Sequence, residues 1–439
     1  MLETRLRPLA SCSFSVLTRA RGLASSSTPS SQLRVAGGTY RQDAFTNVTN
    51  AIIQKAETSL LSKPSHPLSI LNSLIHSHFP DYKAITPSSP VVSVFKNFDE
   101  LGFPPDHPGR RHTDSYYVNK EQLLRTHASA HQIESFQTDA KKWLLTADVY
   151  RRDEIDASHY PVFHQMDGAR VFDKSPSELR ALEEENEVMA HRLAQENILI
   201  EDESSIGPQN PYQQAHDPAQ AALVAANLKH TLNGLMLKLF GGAAGATKEN
   251  PLRVRWIDAY FPFTSPSYEV EVFFRGKWLE ILGCGVVNQA ILDRAGVKER
   301  ISWAFGLGLE RIAMVLFSIP DIRLFWSQDP RFLSQFTPGV ISTFKEFSKF
   351  PSNWKDVSFW ISRDVHENDV CDIVREAAGD LAEDVKEIDR FVHPQTSKTS
   401  LCYRIHYRSM ERSLSNAEIS AIQDRLEGML VSELGVEIR

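Results

Sequence analysis

The sequence predicts an α+β fold in which a strand-rich body with flanking helices, residues 46–330, is followed by a linker, 331–346, and a smaller C-terminal domain, 347–439. Three observations lead there. Helix-like apolar spacing in the body is confined to a few segments, while runs such as Val91–Phe98 alternate as half-buried strands do. From about Phe347 the pattern becomes strand, helix, two strands, helix and a last strand, the order β-α-β-β-α-β. At 439 residues the chain is long enough to bury a full core without disulfides or metal.

Taken in order, residues 1–34 carry Arg5, Arg7, Arg19, Arg21 and Arg34 against one acid, Glu3, with a serine run at Ser25–Ser27, which is the composition of an organelle transit peptide. Val48, Ile52 and Ile53, then Leu68, Leu71, Leu74 and Ile75, have helical spacing and are parted by Pro64 and Pro67, so two helices open the folded part. Val91 to Phe98 reads as a strand and Phe103-Pro104-Pro105-Asp106-His107-Pro108-Gly109 as a loop. Ser177 to Leu193 and Ala219 to Phe240 read as helices. The polar stretch between them, Glu201 to Asp217, is expected to be a solvated surface segment, and Gly241 to Asn250 a surface loop.

In the C-terminal domain the expected elements are a strand at 357–361, a helix at 369–381, strands at 385–392 and 400–409, a helix at 417–434 and a strand at 436–439. Ser415 and Glu418 have capping-box spacing for the last helix, whose buried face carries Ile419, Ile422, Leu426 and Met429. Tyr403, Ile405 and Tyr407 alternate with Arg404, His406 and Arg408, so one face of that strand is apolar and the other cationic. No apolar run approaches the ~20 residues of a membrane span, so no membrane partner is expected. Cys12, Cys284, Cys371 and Cys402 lie far apart without a C-x-x-C pair, which points to a reducing compartment and away from structural zinc.

Two arginine-bearing motifs carry the chemistry. Gly306-Leu307-Gly308-Leu309-Glu310-Arg311 lacks the third glycine of a dinucleotide fingerprint and runs into an apolar helix, Ile312 to Phe317, which rules out a Rossmann site. Val149-Tyr150-Arg151-Arg152-Asp153 sets an arginine two residues before an acid, and the chain returns through His159-Tyr160-Pro161-Val162-Phe163. These segments resemble motifs 3 and 2 of class II aminoacyl-tRNA ligases. The resemblance implies the antiparallel sheet of that class, ATP as substrate and an adenylate intermediate. In such chemistry a carboxylate attacks the α-phosphate in line, and the protein supplies positioning and charge neutralisation.

It also implies roles. Arg151 falls to the α-phosphate and Arg311 to the far phosphates as the catalytic pair, because a planar guanidinium presents fixed donors to phosphate oxygens. Phe163 would stack on adenine, Ser158, His159 and Tyr160 would lie on the loop over the triphosphate, and Glu280, Ile281 and Leu282 would complete the ATP site. Mg2+ bridging phosphate oxygens favours a carboxylate partner, and Glu280 is the first choice, with Glu269 and Glu271 behind it.

Three further segments narrow the resemblance to phenylalanine–tRNA ligases: Arg125-Thr126-His127-Ala128-Ser129-Ala130-His131-Gln132, then Ile155 to Gln165, then Tyr260-Phe261-Pro262-Phe263. They imply phenylalanine as the amino acid, its ring set against the edges of Phe261 and Phe263. His127, Ser129, Ala130, His131, Gln132 and Gln165 would surround its polar end, together with Asp167 where the family usually has glutamate. Gly283 and Gly285, flanking Cys284, would allow close approach, and Phe305 would add an apolar wall. Cys284 itself is read as packing rather than as a nucleophile.

The C-terminal block resembles the ferredoxin-fold anticodon-binding domain of the organellar single-chain members of that family. This implies a monomer in the mitochondrial matrix with tRNA(Phe) as partner and with Arg404 and Arg408 on the anticodon stem. The chain's net charge is −7 before its leader arginines are removed, so its RNA contacts must be local patches. A non-catalytic tRNA-binding relative is the alternative, and it predicts decayed motifs.

No editing domain fits in the remaining length, and an apolar pocket rejects an added hydroxyl by only ~10². Measurable tyrosine activation is therefore expected, with no clearance of the mischarged product. Tyrosine-dependent ATP consumption without accumulation of tyrosyl-tRNA would contradict this.

Overall fold

A computed structural model describes residues 32–347 and 350–439, so most of the predicted leader lies outside the described residues. Gln32–Val35 pairs with Gly38–Arg41 in an antiparallel hairpin, and Val35 enters the main core. The two opening helices follow as α1 (Asn50–Ala56) and α2 (Pro67–His76), capped by the side chains of Thr49 and His66. The strand expected to reach Phe98 stops at Ser93. There the Ser93 hydroxyl accepts the Lys96 amide at 3.0 Å and starts a helical turn, Val94–Asn97, that leaves Phe95 in solvent.

An eight-stranded sheet organises the body. Its strands are β1 (Lys83–Ile85), β2 (Lys142–Tyr150), β3 (Val162–Asp173), β4 (Ile198–Asp202), β5 (Leu252–Asp258), β6 (Thr264–Phe274), β7 (Lys277–Val287) and β8 (Arg300–Gly308), in the spatial order β1-β2-β3-β8-β7-β6-β5-β4. Only the two outermost pairings, β1 with β2 and β4 with β5, are parallel. Alternation along the strands separates two faces. Met166, Leu282 and Leu307 join a core closed by α2, α4 (Pro218–Ala244) and α5 (Leu309–Phe317), while Trp143, Leu145, Ala169 and Ala304 lie in a smaller cluster on the opposite side. Helix α3 (Pro176–Leu193) packs along α4.

Two expectations about the polar segments change. Helix α4 continues through Ala244, where Gly245 ends it in a left-handed conformation, so the predicted loop from Gly241 shortens to residues 245–251. The stretch from Glu201 to Asp217 is mostly solvent-exposed, as expected, but its start belongs to β4, and two of its polar residues, Asn210 and His216, are buried. Their amide and imidazole groups hydrogen-bond to neighbouring strands and helices, a form of burial that hydropathy does not register.

The C-terminal domain has the expected order: β9 (Asn353–Ile361), α6 (Glu367–Ala378), β10 (Ala382–Val392), β11 (Thr399–Tyr407), α7 (Asn416–Met429) and β12 (Glu437–Ile438), in one sheet of order β10-β11-β9-β12. The Ser415–Glu418 capping box is formed, and Ile419 and Leu426 are buried.

Buried charge joins the domains. Asp372 on α6 accepts from the Tyr116 hydroxyl at 2.8 Å, from Arg152 and, at 2.9 Å, from Arg375. Arg375 in turn donates to the carbonyls of Asp153 and Glu154, and Ile155 enters the C-terminal core. Removing one partner of a buried ion pair costs about 3–5 kcal/mol because the other is stranded without water. Asp372→Ala should approach the lower end, since Asp369 still reaches Arg152 at 2.9 Å. A urea unfolding curve superimposing on that of the unaltered protein would overturn this assignment.

Candidate active site

The side of the sheet away from the helices holds a cleft of about 670 Å³ that continues into a second cavity of about 380 Å³, with Arg151, Gln165, Glu280 and Gly283 in both walls. Strand register builds its floor. Glu269 on β6 pairs with Gly283 on β7, Gly283 with Gly306 on β8, and Gly306 with Asp167 on β3. Directly paired residues share a face, and three inter-strand spacings make roughly 14 Å, so two carboxylates border a trough with no side chain between them. A Cβ at Gly283 would lie 2.5 Å from the Phe261 ring, and one at Gly306 would lie 2.9 Å from the Asp167 carboxylate.

One end of the trough suits an amino acid. Period-two alternation on β3 turns Phe163, Gln165 and Asp167 towards the two cavities and buries His164 and Met166 beneath. The Ser129 hydroxyl donates to Asp167 at 2.6 Å, and the Gln165 side chain accepts the Ala128 amide at 3.1 Å. Burial pushes the Asp167 carboxyl up to about 7, against the opposing effect of Ser129. His127 stacks on Phe103 at 5.3 Å, and burial, aided by the charge of Arg151, lowers its pKa to about 3, so its ring is neutral. Phe261 and Phe263 lie parallel at 5.8 Å, and Gln132 borders the same space.

The other end suits a nucleotide. Arg151 follows β2 directly, donates through Nε to the Thr126 carbonyl at 2.8 Å and rests 5.2 Å from the Phe163 ring. Arg311, exposed at the start of α5, stands 3.7 Å from Glu280. Glu280 owes its direction to a β-bulge: the β6–β7 register slips between Val270 and Glu271, so Glu280 rather than Ile281 pairs with Glu271 on the cleft face. Glu271 is engaged by Arg255 at 2.6 Å. Burial raises the pKa of Glu269, and its neighbours Glu280 and Glu271 raise it further.

Beneath these groups a buried pair ties the two motifs together. The Glu310 carboxylate accepts the His164 backbone amide at 2.8 Å and meets the His164 ring nitrogen at 2.7 Å. Desolvation opposes charging His164, but Glu310 outweighs it and the imidazole pKa is raised. Each partner adjoins a cleft residue, His164 next to Phe163 and Glu310 next to Arg311.

Several expected residues are placed differently. Ala130 packs with Val92, Phe98, Tyr117 and Leu123, and His131 pairs with Glu134 and with Arg125 at 3.1 Å; the tight turn of Ala128–His131 sends both behind the cleft wall. Phe305 borders the cleft as expected, but its ring lies on the helix-covered face, 5.7 Å from Phe79, because it alternates with Ala304, which also borders the cleft. Gly285 borders β6 rather than the cleft, with the Pro266 carbonyl 2.3 Å from where a Cβ would be. Ile281 and Leu282 border the second cavity with their side chains buried in the main core.

In the loop after Arg151, the carboxylate of Asp156 holds the Ser158 and His159 amides and the His159 ring at 2.8 Å. Tyr160 turns its hydroxyl to Asp380 of the C-terminal domain at 2.6 Å and stacks on Trp326. On β11, Arg404 is held by Asp356 through two 2.8 Å contacts and lies over Trp354 at 4.1 Å, while Arg408, just beyond the strand, faces Glu383 at 3.2 Å. The expected cationic face is therefore largely charge-paired. Sequence reasoning missed Phe103, His107 and Ala304 as lining residues. The first two lie in a segment read only as a loop, and Ala304 carries no chemical signal of its own.

Comparison with known proteins matches residues 46–200 and 175–336 to the class II core domain of tRNA synthetases, and residues 348–439 to the ferredoxin-fold anticodon-binding domain. The chain is 44% identical to the mitochondrial phenylalanine–tRNA ligase of Saccharomyces cerevisiae, over 93% of this chain and 95% of that one. It is 40% identical to the probable mitochondrial phenylalanine–tRNA ligase of Drosophila melanogaster, over 96% and 97%. The chain belongs to the phenylalanine–tRNA ligase family. A third member, the chloroplastic/mitochondrial enzyme of Arabidopsis thaliana, is 42% identical over 90% of this chain and 83% of its own length. Membership in the phenylalanine–tRNA ligase family accounts for both modules of the chain, the class II core and the ferredoxin-fold domain.

Proposed function

We propose that the chain activates phenylalanine with ATP and transfers it to mitochondrial tRNA(Phe), releasing diphosphate and then AMP. The carrying observation is a single continuous cleft in which an amino-acid end, with Gln165, Asp167, Phe261 and Phe263, meets a nucleotide end, with Phe163, Glu280 and Arg311, at Arg151. Relatives named mitochondrial, matching nearly the whole chain, support the location.

In this reading the substrate ring lies against Phe261 and Phe263, and its ammonium is held by Asp167, Ser129 and Gln165. Its carboxylate oxygen attacks the α-phosphorus while the bond to the β-phosphate oxygen breaks. Arg151 neutralises the α-phosphate and Arg311 the departing diphosphate, and Phe163 offers a face to adenine. Neutral His127 adds no charge to repel the ammonium. In the second step a terminal hydroxyl of tRNA attacks the activated carbonyl and AMP leaves.

Glu280 and Glu269 would hold Mg2+. These acids crowd one another, and the Glu269 pKa, raised first by burial and then by its acidic neighbours, fits a site for a divalent cation, which when bound would neutralise phosphate charge. Both modules lie in one chain and the contact between them is satisfied internally, which supports a monomer. Arg404, at the solvent face, is the candidate to exchange Asp356 for a tRNA phosphate, whereas Arg408 is engaged at Glu383.

Phenylalanine-dependent pyrophosphate exchange by the leader-less protein, abolished in Arg151→Ala, tests the reading. Absence of exchange with any of the twenty amino acids in folded protein would refute it and favour a non-catalytic RNA binder. The Asp167 carboxyl also makes a pH prediction. Its pKa of about 7 lies above the ordinary carboxylate range, so it is largely protonated below neutrality and cannot hold an ammonium there. The KM for phenylalanine should rise as pH falls through about 7, and Asp167→Asn should be weak at every pH. A KM profile for phenylalanine that is flat from pH 6 to 8 in the unaltered protein would count against that role.

A further inference from the structure

We infer that Asn210 and Gln213, on the polar segment between β4 and α4, are positioning residues that fix the aromatic loop Tyr260–Phe263 and so set the preference for phenylalanine over tyrosine. The inference rests on the proposed reading of Phe261 and Phe263 as the walls of the amino-acid pocket.

The loop leaves β5 at Asp258 and enters β6 at Thr264. One segment of chain holds both ends. At the entry, the Asp258 carboxylate accepts from the Ser205 amide at 3.1 Å and from Asn210 Nδ2 at 2.8 Å. At the exit, the same Asn210 Nδ2 donates to the Ser267 carbonyl at 3.0 Å, and its Oδ1 accepts the Ser267 amide at 2.7 Å. Gln213 Nε2 donates to the carbonyls of Ser265 at 2.7 Å and Val287 at 3.1 Å, while its Oε1 accepts the Gln289 amide at 2.8 Å.

These contacts do the work of a missing ladder. The β6–β7 pairing breaks between Thr264 and Ser267, which would leave backbone groups near Ser265 without a strand partner. Two side-chain amides supply those partners instead, and Asn210, which is buried, spends both of its amide hydrogens on the two ends of one loop. Within the loop the backbone is tied only lightly, by Asn288 donating to the Phe263 carbonyl at 2.9 Å and by a 3.3 Å contact from the Thr264 amide to the Phe261 carbonyl. The Phe261 ring sits where a Gly283 side chain would be, so its position is set from the loop side.

The consequence is selectivity rather than bulk stability. Tyrosine differs from phenylalanine by one oxygen at the ring tip, so a pocket that rejects it must hold its aromatic walls still. A wall displaced by about 1 Å can cost ~10²-fold in rate for the proper substrate. A loosened loop would lose phenylalanine affinity and at the same time accept the larger ring more readily.

Asn210→Ala and Gln213→Ala, made separately in the full chain, should each raise the KM for phenylalanine in pyrophosphate exchange by about 10-fold or more. The ratio of kcat/KM for phenylalanine over tyrosine should fall, with the KM for ATP unchanged. An unchanged ratio would overturn the inference even if total activity dropped, because loss of folded protein lowers both substrates equally. Should Asn210→Ala not fold, Gln213→Ala decides alone. Phe261→Ala serves as the separating control: if it moves neither phenylalanine nor tyrosine parameters, the pocket reading itself has failed, not the support of the loop.

Discussion

The register across the central strands is the constraint on which the rest of this molecule depends. Because Glu269, Gly283, Gly306 and Asp167 fall in one row, the middle of the open face has no side chains and its margins are acidic. A slip of one residue in any of these strands would turn its cleft residues into the helix-covered core and its core residues into the cleft. The helix side enforces the register, since Met166, Leu282 and Leu307 are buried only when their neighbours face outward. Burying each such side chain is worth about 1.5–3 kcal/mol, and that apolar gain holds the polar site in place.

On this frame, buried charge is used to connect elements. The Glu310–His164 pair ties the helix bearing Arg311 to the strand bearing Phe163, so these two cleft residues are held in a fixed relation. The network of Tyr116, Arg152, Asp372 and Arg375 does the same between domains, and it reaches the chain immediately after Arg151. Val385 of the C-terminal domain also donates to the Ile155 carbonyl, and Tyr160 reaches Asp380. The loop after Arg151 is therefore held at both ends, near Asp153–Ile155 and at Tyr160, by the domain that matches anticodon-binding modules.

Much of the fold was legible in the sequence where periodicity is strong. The β-α-β-β-α-β order, the two long helices of the body and the capping box at Ser415 all rest on local spacing, and local spacing survives folding. Boundaries were less legible where a single side chain decides them, as at Ser93, whose hydroxyl ends a strand. Within the segment from Glu201 to Asp217, which is mostly exposed, two buried residues were not legible for a related reason. Asn210 and His216 look solvated by composition, yet they are buried, and with the half-buried Gln213 they bond to backbone and side-chain groups distant in sequence.

By itself the sequence determined the chemistry on offer: two arginines flanking a β-turn-β and a glycine-rich strand end, an aromatic pair, and a row of polar residues alternating with apolar ones. These follow from residue type and short-range spacing. Tertiary structure alone decided which of them meet. It turned Glu280 outward through a bulge and Phe305 inward through alternation with Ala304. It sent Ala130 and His131 behind the cleft wall, and it paired Arg404 and Arg408 with acids from other strands. The physical reason is the same in each case. A side chain's direction depends on strand register and on partners distant in sequence, and neither is encoded in the residues immediately around it.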